Sequence, residues 1–257
     1  MSAPALLAIS HGTSSPSGQR AVATFVAALA RRRPDVTVLG GFVDVQRPDV
    51  DDVLAALQRD RPAVVVPLLL SAGYHVHVDL ARSARGADRP VRVARALGPD
   101  DRLVRLLASR LIAAGLASGD RVVLACAGSS DRRAVEDCRA VAASLDRRLG
   151  VAVRPGFISA ASPALAQAVS DAAAAARADG GRVLVASYLL APGYFAELAR
   201  SGAADLVTAP LLAADEEPPD VLVDLVWDRY DEVAPGGLFN SAAGTGRPAP
   251  PTRRSRR

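Results

Sequence analysis

The feature that most constrains the fold is an internal duplication. It is visible when residues 64–83, VVVPLLLSAGYHVHVDLARS, are set against residues 182–201, RVLVASYLLAPGYFAELARS, with two residues gapped. It is visible again when residues 40–54, GGFVDVQRPDVDDVL, are set against residues 154–169, RPGFISAASPALAQAV. Equivalent positions lie about 115–120 residues apart, so the chain must fold as two similar units in tandem.

Each unit alternates short apolar segments with helical ones. In the first unit the predicted strands and helices alternate in the order 5–10, 18–31, 36–42, 48–57, 63–70, 76–85, 91–97 and 99–114. This order is typical of a parallel sheet with helices on both faces. We therefore predict an α/β protein of two doubly wound, four-stranded parallel-sheet domains, residues 1–117 and residues 118–234, the second of them degenerate.

The charge is distributed unevenly along the chain. Of the 31 basic residues, five are arginines in residues 235–257, a Gly/Pro/Ser/Arg segment that we predict to be a disordered basic tail. Without that segment the net charge is −1, with +5 in residues 1–117 and −6 in residues 118–234. The body of the chain therefore gives no support for nucleic-acid binding. An anionic ligand on the first half and complementary packing between the halves both remain open.

Neither a membrane span nor a disulfide framework is expected. The longest apolar runs, such as residues 64–70, fall far short of the roughly 20 residues that a spanning helix needs. The first residues lack the basic and apolar regions of a signal peptide. Cys126 and Cys138 form no CxxC motif, and we expect them to act as small buried hydrophobes. These features predict a cytoplasmic protein with no membrane association, and we expect a monomer.

All three histidines, His11, His75 and His77, lie in the first unit. His11 directly follows the first predicted strand, and His75 follows the third. These strands are neighbours in doubly wound sheets and open a ligand crevice at their carboxyl ends, so the two imidazoles should converge there. Two imidazoles and a carboxylate suit a divalent transition metal. Asp44, after the second strand, is the candidate carboxylate, although it could instead cap the segment that follows.

The second unit lacks these reactive side chains. Ala127 stands at the position of His11, Ser159 at that of Asp44, and Phe195 at that of one of the two later histidines. The glycines, by contrast, recur in the pairs Gly12/Gly128, Gly41/Gly156 and Gly73/Gly193. We infer that both units need the same turns but that only the first needs the side chains. Tyr74 recurs as Tyr194, which favours a packing role for this position.

Several common catalytic motifs are absent. The sequence contains no GxGxxG, no GxxxxGK[ST] and no GxSxG, which leaves dinucleotide, P-loop and α/β-hydrolase chemistry without support. The HGT after the first strand is similar to the start of the histidine phosphatases. Those enzymes place an arginine before the His–Gly pair, where this chain has Ser10. A phosphate clamp is therefore missing.

Three motifs together resemble the sirohydrochlorin chelatases. They are HGT at residues 11–13, GFVD ending at Asp44 with Pro48 after it, and PLLLSAGYHVHVD with its pattern of Gly73, His75 and Asp79. The similarity extends over nearly all of residues 5–230. These class II chelatases are related in fold to ferrochelatase. The resemblance implies insertion of Fe²⁺ or Co²⁺ into sirohydrochlorin, toward sirohaem or cobalamin, without ATP. The metal would then be a substrate, and no permanently bound cofactor is expected.

The resemblance also assigns roles to residues. It makes His11 and His75 the metal-binding and catalytic histidines, places Asp44 where the family usually has glutamate, and leaves His77 outside the pattern. Duplicated members hold the active site in the cleft between an intact and a degenerate half. The chain has no His-rich segment and no cysteine cluster, which favours iron over cobalt.

Substrate charge gives a further expectation. Because sirohydrochlorin is a polycarboxylate, arginines are expected around the site, and Arg20, Arg47, Arg82 and Arg85 lie near the motifs in sequence. The alternative is a non-catalytic carrier of divalent metal or tetrapyrrole that uses the same histidines.

Overall fold

The computed structural model describes residues 3–58, 60–71 and 73–234, without the side chains of residues 74–79. The predicted basic tail, residues 235–257, lies outside the described residues. In the described part of the chain, no helix is both long and apolar enough to cross a bilayer.

The first half is a four-stranded parallel sheet with helices on both faces, as the sequence predicts. Its elements are β1 (Ala5–Ser10), α1 (Pro16–Arg32), β2 (Val38–Phe42), α2 (Val50–Ala56), β3 (Ala63–Pro67), α3 (Tyr74–Gly86), β4 (Val91–Val93) and α4 (Asp101–Ala113). The strand order is β2-β1-β3-β4. The carboxyl ends of β1 and β3 therefore lie side by side, as expected for the crevice.

Two strands are shorter than the apolar runs suggest. β3 ends at Pro67 and β4 at Val93, although the runs continue to residues 70 and 97. Pro67 has no backbone N–H with which to extend a ladder. Beyond it the chain enters the loop that leads to α3, so residues 68–71 become available to line a cavity.

The second half repeats this arrangement. Its elements are β5 (Arg121–Cys126), α5 (Arg132–Leu149), β6 (Val153–Phe157), α6 (Leu165–Asp179), β7 (Val183–Tyr188), α7 (Tyr194–Arg200), β8 (Leu206–Val207) and α8 (Asp220–Val233), with strand order β6-β5-β7-β8. Asp44 N donates to His11 O (3.1 Å), and Ser159 N donates to Ala127 O (3.0 Å). These matching bonds confirm that Ala127 corresponds to His11 and Ser159 to Asp44.

The recurring glycines differ in what they do. Gly12 and Gly128 have nearly equal φ of +96° and +92°, and a Cβ at either would collide with the carbonyl oxygen of Asp44 or Ser159. The expectation of a shared turn is confirmed at this pair. It is wrong for the last pair, because Gly73 has φ −64°, which any residue can adopt.

Two helices begin at the same edge as the strand ends. The hydroxyl of Ser15 accepts from Gly18 N (3.5 Å) at the start of α1, where Pro16 takes the first position. The Asp131 carboxylate accepts from Arg133 N (2.9 Å) at the start of α5. Both helices therefore present the positive end of their dipole to the region that follows β1 and β5.

The largest core lies between the two sheets. Leu6 and Val64 enter it from one sheet, and Leu124 and Leu184 from the other. Helices α1, α4, α5 and α8 fill the space between the sheets. Smaller cores lie on the outer faces, under α2 and α3 in the first half and under α6 and α7 in the second.

The last helix of each half packs against the opposite half. α4 contacts α5 and β7, whereas α8 contacts α1 and β3. Each half thus covers the inner side of its partner's sheet, and burial of the central core depends on both halves together.

Acidic side chains on and before α8 pair with arginines of the first half. The pairs are Arg20–Asp215 (3.4 Å), Arg31–Glu217 (2.6 Å), Arg32–Asp220, Arg32–Asp224 (2.5 Å), Arg33–Asp231 (2.8 Å), Arg95–Glu232 (2.9 Å) and Arg102–Asp228. Most of these groups are exposed, so each pair contributes little stability by itself. Their distribution accounts for the opposite net charges of the halves through complementary packing.

Candidate active site between the two halves

A cavity of about 600 Å³ lies between the two halves. Its lining comes mainly from the segments that follow β1 and β3 and from those that follow β5 and β7, namely residues 10–14, 68–71, 126–129 and 189–196. The volume is in the range of small-molecule sites, and the carboxyl ends of parallel strands are where open α/β sheets bind ligands. The cavity is therefore the candidate active site.

His11 lies in this cavity as predicted. It is the first residue after β1, and its side chain is exposed. Two hydrogen bonds hold the loop that carries it. Thr13 N donates to Gln46 Oε1 (2.8 Å) in the loop after β2, and Gln19 Nε2 on α1 donates to Thr13 O (2.9 Å). An exposed imidazole on a braced loop can bind a metal ion or accept a proton with little reorganisation.

Asp44 is brought next to His11 by the backbone, but its carboxylate makes a local contact. Asp44 Oδ1 accepts from Val45 N (2.7 Å), and Asp44 is not among the described residues that line the cavity. The alternative that Asp44 caps the segment that follows is not met at α2, whose N-cap is Asp49, and the carboxylate of Asp44 instead bonds within its own turn. A site role stays a prediction.

His75 is placed by its backbone only. It is the second residue of α3, directly after the turn at Gly73, which lines the cavity. The side chains of His75 and His77 lie outside the described residues, so the convergence of two imidazoles stays a prediction. Among the described side chains, no group of three His, Cys, Asp or Glu residues could hold a metal ion.

None of the four arginines expected near the substrate lines the cavity in the described structure. Arg20 pairs with Asp215 on the outer surface, and Arg47 pairs with Asp52 (2.8 Å) beside α2. Arg82 and Arg85 lie on α3, beyond its first turns. The described part of the cavity wall therefore contains no guanidinium group, and the expectation of arginines around the site is not met there.

The second half contributes polar groups to the wall that sequence analysis missed. Cys126 and Cys138 are buried, as expected, but both also line the cavity. The interaction with the neighbouring Cys138 thiol and burial raise the pKa of Cys126, whereas the same interaction lowers the pKa of Cys138. Tyr188 donates its hydroxyl to Leu70 O (2.8 Å), and burial raises the pKa of Tyr188. The sequence contained one indication of this role for Cys126. Cys126 is the last residue of β5, as Ser10 is the last residue of β1, so the repeat places both at the edge of the sheet where the crevice was expected.

Tyr194 does not take the packing role that its recurrence suggested. It is 66% exposed and lines the cavity, beside Phe195. Both residues belong to the first turn of α7, directly after the turn at Gly193. The side chain of Tyr194 lies on the exposed face of α7, whereas Ala196 and Ala199 lie on its buried face.

The fold and this site define a two-lobed α/β protein with a cavity between the lobes, to which the first lobe brings an imidazole among the described residues. The particular family follows from the family model CbiX, which matches residues 5–114 and 121–199, once in each half. The chain belongs to the CbiX family, and the predicted similarity to sirohydrochlorin chelatases is confirmed.

Individual proteins support this assignment. The chain is 25% identical over 120 residues to the sirohydrochlorin cobaltochelatase of Methanosarcina acetivorans, covering 41% of this chain and 92% of that protein. It is 31% identical over 107 residues to the sirohydrochlorin cobaltochelatase of Sulfolobus acidocaldarius, covering 40% and 85%. Such coverage is expected if those proteins contain once the unit that this chain contains twice. The solved structure of SirB from Bacillus subtilis with Fe³⁺ has the same fold, with a TM-score of 0.71 and 22% identity over 90% of this chain and 95% of that one.

Proposed function

We propose that this protein inserts Fe²⁺ or Co²⁺ into sirohydrochlorin without ATP, as a step toward sirohaem or cobalamin. The observation that carries the proposal is the cavity between the halves, to which only the first half brings an imidazole among the described residues. Family membership supplies the reaction class. The sequence favours iron, whereas the names of the relatives point to cobalt. The proposal therefore includes both metals.

The chemistry requires three things of the site. Water must leave the divalent metal, the metal must be held against the macrocycle, and two pyrrole N–H protons must be removed as the metal–nitrogen bonds form. His11 and His75 would bind the incoming metal and accept protons, since a neutral imidazole does both near neutral pH. Asp44 would stabilise the metal or accept the second proton. The metal is consumed as a substrate, and the reaction needs no resident cofactor.

The second half would serve the first without holding metal itself. Ala127, Ser159 and Phe195 provide a methyl group, a hydroxyl and a phenyl ring at the corresponding positions, and Ser159 Oγ already donates to Ala127 O (2.9 Å). These groups are poor ligands for a divalent transition metal. Because both walls of the cavity come from one chain, we propose that the monomer is active. Two free, buried cysteines agree with a cytoplasmic location.

The test is to mix the protein anaerobically with sirohydrochlorin and either Fe²⁺ or Co²⁺ and to follow the visible spectrum. Multiple turnovers faster than the uncatalysed reaction support the enzyme. Stoichiometric binding without turnover contradicts it and leaves a carrier of metal or tetrapyrrole. His11→Ala and His75→Ala should abolish turnover, and His77→Ala is the matched control with a milder effect. Normal turnover in His11→Ala or His75→Ala would overturn the site assignment.

A further inference from the structure

Exposed apolar side chains are concentrated at the cavity. Among the described residues, the large hydrophobic side chains that remain exposed are Val45 (58%), Ile112 (64%), Tyr194 (66%) and Phe195 (37%). All of them except Ile112 line the cavity between the halves. Single exposed hydrophobics are ordinary, but a group of them around one cavity indicates a surface that binds an apolar ligand.

The two aromatic rings are held side by side at the start of α7. The ring centroids of Tyr194 and Phe195 are 6.1 Å apart with an interplanar angle of 44°. The opposite face of α7 packs against the second sheet, where Ala196 and Ala199 are buried. Both rings line the cavity, and because they are tilted by 44°, a flat macrocycle can lie face-on against one ring and against the edge of the other, which are both favourable aromatic contacts.

Val45 adds an apolar contact from the first half. Its φ is +66°, a left-handed conformation that a β-branched residue adopts only under strain. The second half has Ala160 at the corresponding position with φ +51°. Strain of this type persists where the surrounding structure or the function requires it. Here it holds an exposed valine in the wall of the cavity.

The second residue of this helix differs between the two halves, whereas the first is tyrosine in both. α3 begins with Tyr74 and His75, and α7 begins with Tyr194 and Phe195, each after the glycine that precedes its helix. The half that carries the proposed metal ligand thus has an imidazole where the other half has a phenyl ring. A planar ligand that must be metallated on one face needs support on its other face, and a phenyl ring supplies that support without competing for the metal.

We propose that Tyr194 and Phe195 form a stacking platform for the planar tetrapyrrole, with Val45 as a further apolar contact from the first half. This inference rests on the proposed function and adds to it a division of labour. The first half handles metal and protons, whereas the degenerate half binds the macrocycle.

The test measures binding of metal-free sirohydrochlorin by absorbance titration. Phe195→Leu and Tyr194→Leu should each raise the Kd by about 2–10-fold, because each removes one aromatic contact. Tyr194→Phe retains the ring and should keep the wild-type Kd. Ile112→Leu, at an exposed site outside the cavity, is the matched control. In the insertion assay the KM for sirohydrochlorin should rise with little change in kcat, and the affinity for Co²⁺ alone should not change.

The outcomes separate this inference from the function on which it rests. If the wild-type protein neither binds nor metallates sirohydrochlorin, the proposed function fails and the platform fails with it. If the wild-type protein metallates sirohydrochlorin but the two leucine variants bind it as tightly as wild type, the platform alone is overturned. A parallel loss of Co²⁺ affinity in those variants also overturns it, since it would show that the rings support the metal site.

Discussion

Arg110 and Arg229 each donate hydrogen bonds to backbone carbonyls of the opposite half of the molecule. Arg110 on α4 donates to Leu211 O (2.9 Å) and to neighbouring carbonyls after β8, whereas Arg229 on α8 donates to Ala96 O (3.0 Å) and Leu97 O (3.0 Å) after β4. Each arginine thus fastens the last helix of its own half to the other half. We expect these contacts to help hold together the two halves that form the cavity.

Replacing Arg229 should therefore destabilise the whole protein. Arg229 is 1% exposed and also binds the Asp100 carboxylate (2.8 Å). Arg229→Leu therefore leaves the carbonyls of Ala96 and Leu97 without their partner and leaves Asp100 with Arg102 as its arginine partner. We expect a loss of about 2–4 kcal/mol in the free energy of unfolding, measured by urea denaturation, because two buried carbonyls lose their donor and the Asp100 cluster is weakened. Arg110→Leu, which leaves only neutral carbonyls unpaired, should cost about 1–3 kcal/mol. Equal and small losses for both would show that these contacts do not hold the halves together.

The same cluster predicts a pH dependence. Burial alone would raise the pKa of Asp100, but hydrogen bonds from Arg102 and Arg229 outweigh it and hold this pKa far below the usual range. A carboxyl with a lowered pKa stabilises the folded state above its unfolded pKa of about 3.9, and this contribution is lost as the pH falls toward the folded pKa. The urea midpoint of wild type should exceed that of Asp100→Asn at pH near 7, and the gap should narrow below about pH 5. A gap that stays constant down to pH near 3 would contradict this origin.

The fold was largely predictable from the sequence, because the alternation of strands and helices follows from local patterns, although β3 and β4 end earlier than their apolar runs suggest. The duplication, the adjacency of β1 and β3 and the position of His11 needed only alternating apolar segments and the general topology of doubly wound sheets. The crossing of α4 and α8 was not predictable, since an amphipathic helix has the same pattern whichever sheet it covers. The sequence placed Arg20 near the substrate because it lies close to the motifs along the chain. In the structure Arg20 instead pairs with Asp215, 195 residues away along the chain, and such long-range contacts cannot be read from local patterns.

The paired thiols should differ in reactivity. Because the interaction between them lowers the pKa of Cys138 and raises that of Cys126, Cys138 becomes a thiolate first as the pH rises. A small alkylating reagent near pH 8 should therefore modify Cys138 before Cys126, as followed by peptide mass spectrometry. Cys138→Ser removes the interaction that raises the pKa of Cys126, so Cys126 should be modified faster than in wild type under the same conditions. Faster modification of Cys126 than of Cys138 in wild type would show that the interaction between the thiols does not set their order.

Asp44 has a sharper test because the second half offers a natural comparison. Asp44→Asn keeps an oxygen that can accept from Val45 N but loses the charge and basicity, so insertion should slow by about 10²–10⁴-fold with little change in tetrapyrrole affinity. Asp44→Ser, which copies Ser159, should be at least as slow. An unchanged insertion rate in Asp44→Asn would assign Asp44 to the turn alone.

The central claim is that one half of a duplicated chain holds the metal. Calorimetric titration of the intact protein with Co²⁺ under anaerobic conditions tests it most directly. We predict about one Co²⁺ per chain, with the binding lost in the His11→Ala/His75→Ala double variant and retained in His77→Ala. Two equivalent sites per chain, or one site that survives the double variant, would contradict the account.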